Sequence, residues 1–188
     1  MKPLIYQIFT RLYGNKKHAN IPAGSIEENG CAKMNDITAK QLERIASMGF
    51  THVWFTGLIE HATQTDYSAY DIKPDHPAVV KGRAGSPYAI KDYYDIDPDL
   101  AVNVKQRMKE FNALLKRTHQ AGLKLVIDFV PNHVARQYNS DAHPKGVKDL
   151  GEGDDTTKAF DPNNNFYYLE GQTLHTNFDT ERRAKQPY

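Results

Sequence analysis

"LVIDFVPNH", residues 125–133, decides how the chain is read. Five of its first six residues are apolar, as in a parallel strand covered on both faces. Asp128 sits in the middle, and the stretch closes on Pro131, Asn132 and His133. Asp128 shares a pleat face with Val126 and Val130. A charge there needs a partner, either an arginine or a ring of hydrogen-bond donors. Pro131 has no N–H for a neighbouring strand and ends the ladder. The stretch therefore reads as a strand, residues 123–130, with a polar rim at its exit.

The pattern upstream repeats that unit. "LIYQIF", residues 4–9, is β-branched and aromatic and predicts a first strand. A polar, glycine-containing segment runs on to about Asp36. Thr38 and Gln41 form a capping box, with Ile37 and Leu42 placed as a hydrophobic staple. Leu42, Ile45, Ala46 and Met48 make a helical stripe, and Gly49 is placed to end it in a left-handed conformation. "THVWF", residues 51–55, predicts the second strand. From Thr56 to Asn103 no periodicity stands out, and so long a gap reads as a functional loop. His61 and His76 read there as solvated polar residues. Asn103 with Gln106 resembles another helix start. Val104, Met108, Phe111, Leu114, Leu115 and Thr118 mark its apolar face, and Gly122 ends it. After His133 the chain is polar and irregular.

Strands alternating with amphipathic helices imply parallel pairing with right-handed crossovers. An open doubly wound sheet and a closed (β/α)8 TIM barrel both satisfy this order. Both place ligands at the carboxyl ends of the strands. No glycine-rich phosphate loop follows the first strand, which argues against a nucleotide site.

Composition narrows the function. The net charge of the 188 residues is +1, which gives no electrostatic case for nucleic acid or an anionic membrane. No apolar run approaches the ~20 residues of a membrane span. The single cysteine, Cys31, allows no internal disulfide. "MKPLIYQIFTRLYG" lacks the apolar region of a signal peptide, so a cytoplasmic location is expected. The 11 tyrosines suit sugar faces and half-buried positions alike.

Four collinear stretches carry a closer likeness. "DFVPNH" resembles a signature region of the α-amylase family, glycoside hydrolase family 13. There the third barrel strand ends in an Asp, a few apolar or small residues, Asn and His. "GSPYAIKDYYDIDPDLA", residues 85–101, resembles the family's loop between strand 2 and helix 2, and also its maltosyl-transferring members. "SMGFTHVWFTG" is similar to the first helix running into strand 2, and "IYQIFTRLYG" to the first strand. The resemblance implies an α/β fold. Residues 1–133 would be the N-terminal part of a (β/α)8 barrel, with about three strands and two helices. Residues 134–188 would begin the subdomain inserted after strand 3.

The resemblance also implies roles. Tyr88 matches the tyrosine that stacks on the sugar at the scissile bond. His133 matches the histidine that hydrogen-bonds the same sugar. Asp128 matches the acid that positions an active-site arginine, a supporting role. Asn132 matches a residue that often ligates a structural calcium, though that ion takes about six to eight oxygens. Asp92 reads as a loop-fixing residue. The implied substrate is a starch-like α-glucan or oligosaccharide, acted on by a retaining hydrolase or transglycosidase. A non-catalytic carbohydrate-binding relative stays open, as does an independent open-sheet binding domain.

The departures from the family are large. Retaining chemistry needs two carboxyl groups about 5–5.5 Å apart. The family carries them after strands 4 and 5, with a third acid after strand 7. No G-x-R-x-D occurs here, and the Asn132-His133 pair is followed by Val134 rather than Asp. Glu152 and Glu170 lie in the irregular tail and are not assigned as catalysts. A barrel takes about 250 residues. The expectation is therefore the front part of a longer enzyme, whose partner is the C-terminal remainder of its own barrel. Its nucleophile and acid/base are expected beyond Tyr188. These 188 residues alone are expected to release no reducing ends from α-glucan.

Overall fold

The computed structural model describes residues 2–172. Strand β1 (Ile5–Phe9) leads to a one-turn helix α1 (Ile26–Asn29) and helix α2 (Ala39–Ser47). Strands β2 (His52–Thr56), β3 (Ile59–His61) and β4 (Ile90–Ile96) follow, then helix α3 (Arg107–Gln120) and strand β5 (Lys124–Ile127). β1, β2 and β5 form a parallel sheet with β2 in the centre. β3 and β4 pair antiparallel in a separate two-stranded sheet.

Local sequence accounts for the helix boundaries. The Thr38 hydroxyl accepts the Gln41 N–H, and the Gln41 side chain accepts the Thr38 N–H at 2.7 Å. Ile37 and Leu42, on either side of that cap, are both fully buried. Gly49 takes φ +90° at the turn into β2. The start of α3 differs from the expected Asn103–Gln106 box. Asn103 caps a 3-10 turn at Val104–Gln106, and the α-helix begins at Arg107. The acid that reaches back is Glu110, which accepts the N–H groups of Val102 and Asn103 at 2.9 and 2.8 Å.

The core lies on one face of the parallel sheet. Strand register aligns Tyr6, Val53 and Leu125 in one row and Ile8, Phe55 and Ile127 in the next. Ile8, Val53 and Phe55 are buried together with Leu42 and Ile45 of α2, Leu114 of α3, and Leu123. The alternate positions of β1 (Ile5, Gln7 and Phe9) are exposed. Arg117 of α3 donates to the Ile37 carbonyl at 2.7 Å, tying α3 to the entry of α2. The two apolar stripes are narrower than the sequence predicts. Met48 and Met108 are exposed.

Two further expectations change. The third strand stops at Ile127 rather than reaching residue 130. The Gly57 N–H, at the exit of β2, donates to the Asp128 side chain at 3.0 Å, so a side-chain bond stands where a ladder bond would continue. The segment 56–103 is not a loop throughout, since it holds β3 and β4. Its polar strand "IKDYYDI" is buried through ion pairs and side-chain hydrogen bonds rather than through apolar packing. Lys91 bonds Asp75 at 3.0 Å, and Arg107 pairs with Asp95. Beyond Ile127 the described residues hold no helix or strand. Residues 134–172 form turns fixed by side chains. Asp154, for example, accepts the N–H groups of Asn165 and Phe166 and the Tyr168 hydroxyl. The rest of the expected 134–188 subdomain, from Thr173 to Tyr188, lies outside the described residues.

Leu42→Ala should lower unfolding stability by about 2–5 kcal/mol through loss of buried area and the cavity left behind. Met48→Ala, at the exposed C-cap of the same helix, should change it by less than about 0.5 kcal/mol. Urea unfolding of both variants checks the pair.

Candidate functional site at the strand exits

β1, β2 and β5 run in one direction, so their exits share one edge. Asp128 closes that edge. Its two oxygens accept the Trp54 indole N–H at 2.8 Å and the Gly57 N–H at 3.0 Å. A ring of donors, rather than an arginine, satisfies it here. Trp54 registers with Val126, two residues before Asp128, so both side chains lie on the same pleat face.

Two glycines bring a loop over this edge. A Cβ on Gly57, at φ +79°, would stand 3.0 Å from Pro87 Cβ. A Cβ on Gly85, at φ +74°, would fall 1.7 Å from the Ala62 carbonyl oxygen, which no side chain tolerates. The turn they permit presents Tyr88, with 43% of its surface exposed. Tyr88 borders an open cavity of about 640 Å³ with Gln7, Phe9, Thr56, Lys81, Ser86 and Pro87. Gln7 donates to the Thr56 hydroxyl at 2.9 Å, which fixes two polar groups on its wall. No carboxylate borders this cavity among the described residues. The nucleophile and acid/base were expected beyond Tyr188, and Tyr188 itself lies outside the described residues.

His133 is exposed, and its Nδ1 lies 2.9 Å from Asn132 Oδ1, so Nδ1 carries the hydrogen. It borders a different cavity, of about 660 Å³, walled by Tyr138, Phe166, Tyr167 and Tyr168. The described residues therefore do not bring Tyr88 and His133 to one cavity. Tyr93 of β4 holds the exit in place. Its hydroxyl donates to the Val130 carbonyl and stands 3.3 Å from that of His133. Asn132 offers one oxygen, already engaged by His133.

His61 and His76 are buried, not solvated. His76 Nδ1 accepts the Ala78 N–H at 3.1 Å and caps a 3-10 turn. His61 Nδ1 lies 2.7 Å from Asp97, and Arg11 reaches both the other ring nitrogen, at 3.0 Å, and Asp99, at 3.5 Å. The Tyr67 hydroxyl donates to Asp99 at 2.6 Å. Burial works against the His61 imidazolium, but the Asp97 charge and hydrogen bond outweigh it and raise the pKa. Burial likewise works against the Asp97 carboxylate, and the His61 charge and hydrogen bond overcome it, so its pKa is lowered. Asp92 is fully buried and accepts the N–H groups of Tyr94, Asp141 and Ala142, which fixes the loop after β5.

Trp54 and Tyr93 were not singled out from sequence. Trp54 could have been found, since parallel register puts its indole beside Asp128. Nothing local marks Tyr93, whose partners lie 37 and 40 residues away.

Comparison with known proteins gives the family of the chain. The family model described as alpha amylase, catalytic domain, matches residues 7–177. A cyclomaltodextrin glucanotransferase of Bacillus sp. (strain 38-2) is 24% identical over 147 residues, 73% of this chain and 19% of that protein. An amino acid transporter heavy chain of Rattus norvegicus is 44% identical over 57 residues, 30% of this chain and 7% of that protein. The chain thus spans a fifth or less of the length of these relatives. Among solved structures, an α-amylase from Lactobacillus plantarum is 28% identical with a TM-score of 0.48. That alignment covers 72% of this chain and 24% of the other. No helix among the described residues is long and apolar enough to cross a membrane.

The buried pair sets a pH window. His61's contribution is fully present below its ordinary value of 6.5 and is lost as pH rises through the raised folded value. Asp97's contribution is present above its ordinary 3.8 and is lost as pH falls through the lowered one. Thermal stability should fall on the alkaline side of pH 6.5, and His61→Gln should flatten that limb. An unchanged slope in the variant would assign it to another group.

Proposed function

Because the chain belongs to the α-amylase family, we propose that the protein acts on α-glucosidic bonds of starch-like glucans or oligosaccharides by a retaining mechanism. The match over residues 7–177 carries the reading. The open cavity bordered by Tyr88 supports it, because the exposed ring offers an apolar face for one side of a sugar while Gln7 and Thr56 offer polar groups beside it. In this reading Tyr88 stacks on the sugar next to the scissile bond and His133 hydrogen-bonds it. Asp128 supports the site by holding the exits of β2 and β5 together.

The reaction needs a nucleophile to take the sugar as a covalent glycosyl-enzyme and an acid/base to protonate the leaving oxygen. Water or a second sugar hydroxyl then completes hydrolysis or transfer. Neither carboxylate is assigned within residues 1–188, and these residues alone should hydrolyse no α-glucan. The remaining barrel, beyond Tyr188, would supply both acids, and would bring a sugar within reach of Tyr88 and His133 together. A calcium ion at Asn132 would need about five to seven further oxygens beside that of the Asn132 side chain.

A second reading has one observation in its favour. The local identity to an amino acid transporter heavy chain is the higher of the two relatives' identities, though short. The protein would then use the barrel for binding or assembly, without turnover.

Assay of the protein at its natural length on maltooligosaccharides separates the readings. Turnover is expected, with Tyr88→Ala lowering kcat/KM by about 10- to 100-fold, on the order of 1.4–2.7 kcal/mol of transition-state stabilisation. Wild-type kcat/KM in that variant would remove Tyr88 from the site. Sugar binding without turnover would favour the second reading.

A further inference from the structure

β3 and β4 place Glu60 opposite Asp92 across an antiparallel ladder, with irregular register on both sides of Glu60. Like charges directly opposite destabilise such a pair. Two more acids converge on them, Asp95 from β4 and Asp141 from the loop after β5. One ligand oxygen from each of the four lies within 4.8 Å of the others. Glu60 is 1% exposed, and neither of its carboxylate oxygens has a hydrogen-bond partner. An ionised carboxylate in that position is costly unless a cation answers it.

The protein cations nearby do not meet this need. Arg107 is engaged by Asp95 and, at 3.1 Å, by Asp141. The Lys91 ammonium is held by Asp75 at 3.0 Å and by the Lys73 carbonyl. Asp92 takes its hydrogen bonds from backbone N–H groups. Four carboxylates set against one guanidinium leave a deficit of positive charge centred on Glu60.

We propose that Glu60, Asp92, Asp95 and Asp141 form a binding site for a hard divalent cation, with calcium as the ion that fits. Oxygen ligands about 2.3–2.6 Å from one calcium stand up to about 5 Å apart, which accommodates the spacing of this set. Magnesium keeps most of its water and takes one or two carboxylates, so four protein acids suit calcium better. Asp141 is exposed and leaves a path for entry, while the other three are buried. The ion would join the β3–β4 pair to the segment following β5 and, through Arg107, to α3. This site shares no residue with Asn132 and does not depend on the glucan reading. Without the ion, burial first and then the charges of Asp141, Asp97 and Asp95 push the Glu60 carboxyl up to about 9. It would then hold a proton at neutral pH and give it up when calcium binds.

The test is calcium binding by the protein at its natural length, after chelation, read by equilibrium dialysis and by thermal unfolding. Wild type should bind calcium and unfold at a higher temperature with it. Glu60→Gln and Asp141→Asn should each lose one bound calcium per chain, or bind it at least tenfold more weakly. Asn132→Ala should retain that equivalent. Asp141→Asn lies at the exposed rim and carries the test if Glu60→Gln fails to fold. Calcium stoichiometry and affinity unchanged in a folded Glu60→Gln or Asp141→Asn would overturn the site. So would tighter binding of magnesium than calcium, or no bound ion at millimolar concentrations of either. Loss of the ion is read without substrate, so it stands apart from any loss of turnover.

Discussion

Parallel pairing forces every strand of a sheet to finish at the same edge, and the rest of this structure follows from it. α2 leads into β2 and α3 into β5, and both helices pack on one face. Ile8, Val53, Phe55, Leu42, Ile45 and Leu114 make that face the core. The exits of β1, β2 and β5 then gather Gln7, Phe9, Thr56 and Asp128 at one rim, where the chain needs no apolar packing and can place polar groups. Asp128 turns the constraint into a fixed geometry. By taking the N–H groups of Trp54 and Gly57 it ends the ladder and locks two strand exits together.

The insert between β2 and α3 solves a different problem. β3 and β4 lie outside the parallel sheet, form their own ladder and serve as a platform for the chain that leaves β5. Ala135 donates to the Ile90 carbonyl at 2.7 Å and Asn139 to the Lys91 carbonyl at 3.1 Å. Tyr93 and Asp92 add side-chain bonds to the same segment. Asp92 and Asp95 of this platform take partners far away in sequence, the Asp141 N–H and the Arg107 guanidinium. The position of His133 is therefore set as much by β4 as by the strand that precedes it.

That division explains what was legible in the sequence. The parallel unit was readable because its signals are local. Thr38 and Gln41 cap a helix three residues apart, Gly49 ends it, and the apolar runs "LIYQIF" and "THVWF" need no partner to be recognised. β4 was unreadable for the opposite reason. "IKDYYDI" buries a lysine and two aspartates, and burial of such residues depends on Asp75, Arg107 and backbone donors from other segments. The shortening of β5 and the burial of His61 have the same origin. Asp128 reads as a mid-strand acid and His61 as a solvated loop residue until Gly57 and Asp97 are placed beside them.

The likeness of the four signature stretches reached further than local pattern, and its limits are physical too. It marked Tyr88 and His133 as residues for one sugar, yet in this chain they border separate cavities. A barrel interior is closed by strands from all around its ring, and three strands present only part of that wall. Ile5 and Phe9, exposed on the face away from the helices, show what the parallel sheet has left uncovered. Asp128 and Glu60 mark the contrast within the chain itself. Asp128 follows β5 and Glu60 lies within β3, but the first accepts the Trp54 indole and Gly57 N–H groups, and the carboxylate of the second has no hydrogen-bond partner. The first is complete as a structural group. The second is stable in its buried position either as a neutral, protonated acid or with a positive charge that the surrounding side chains do not provide.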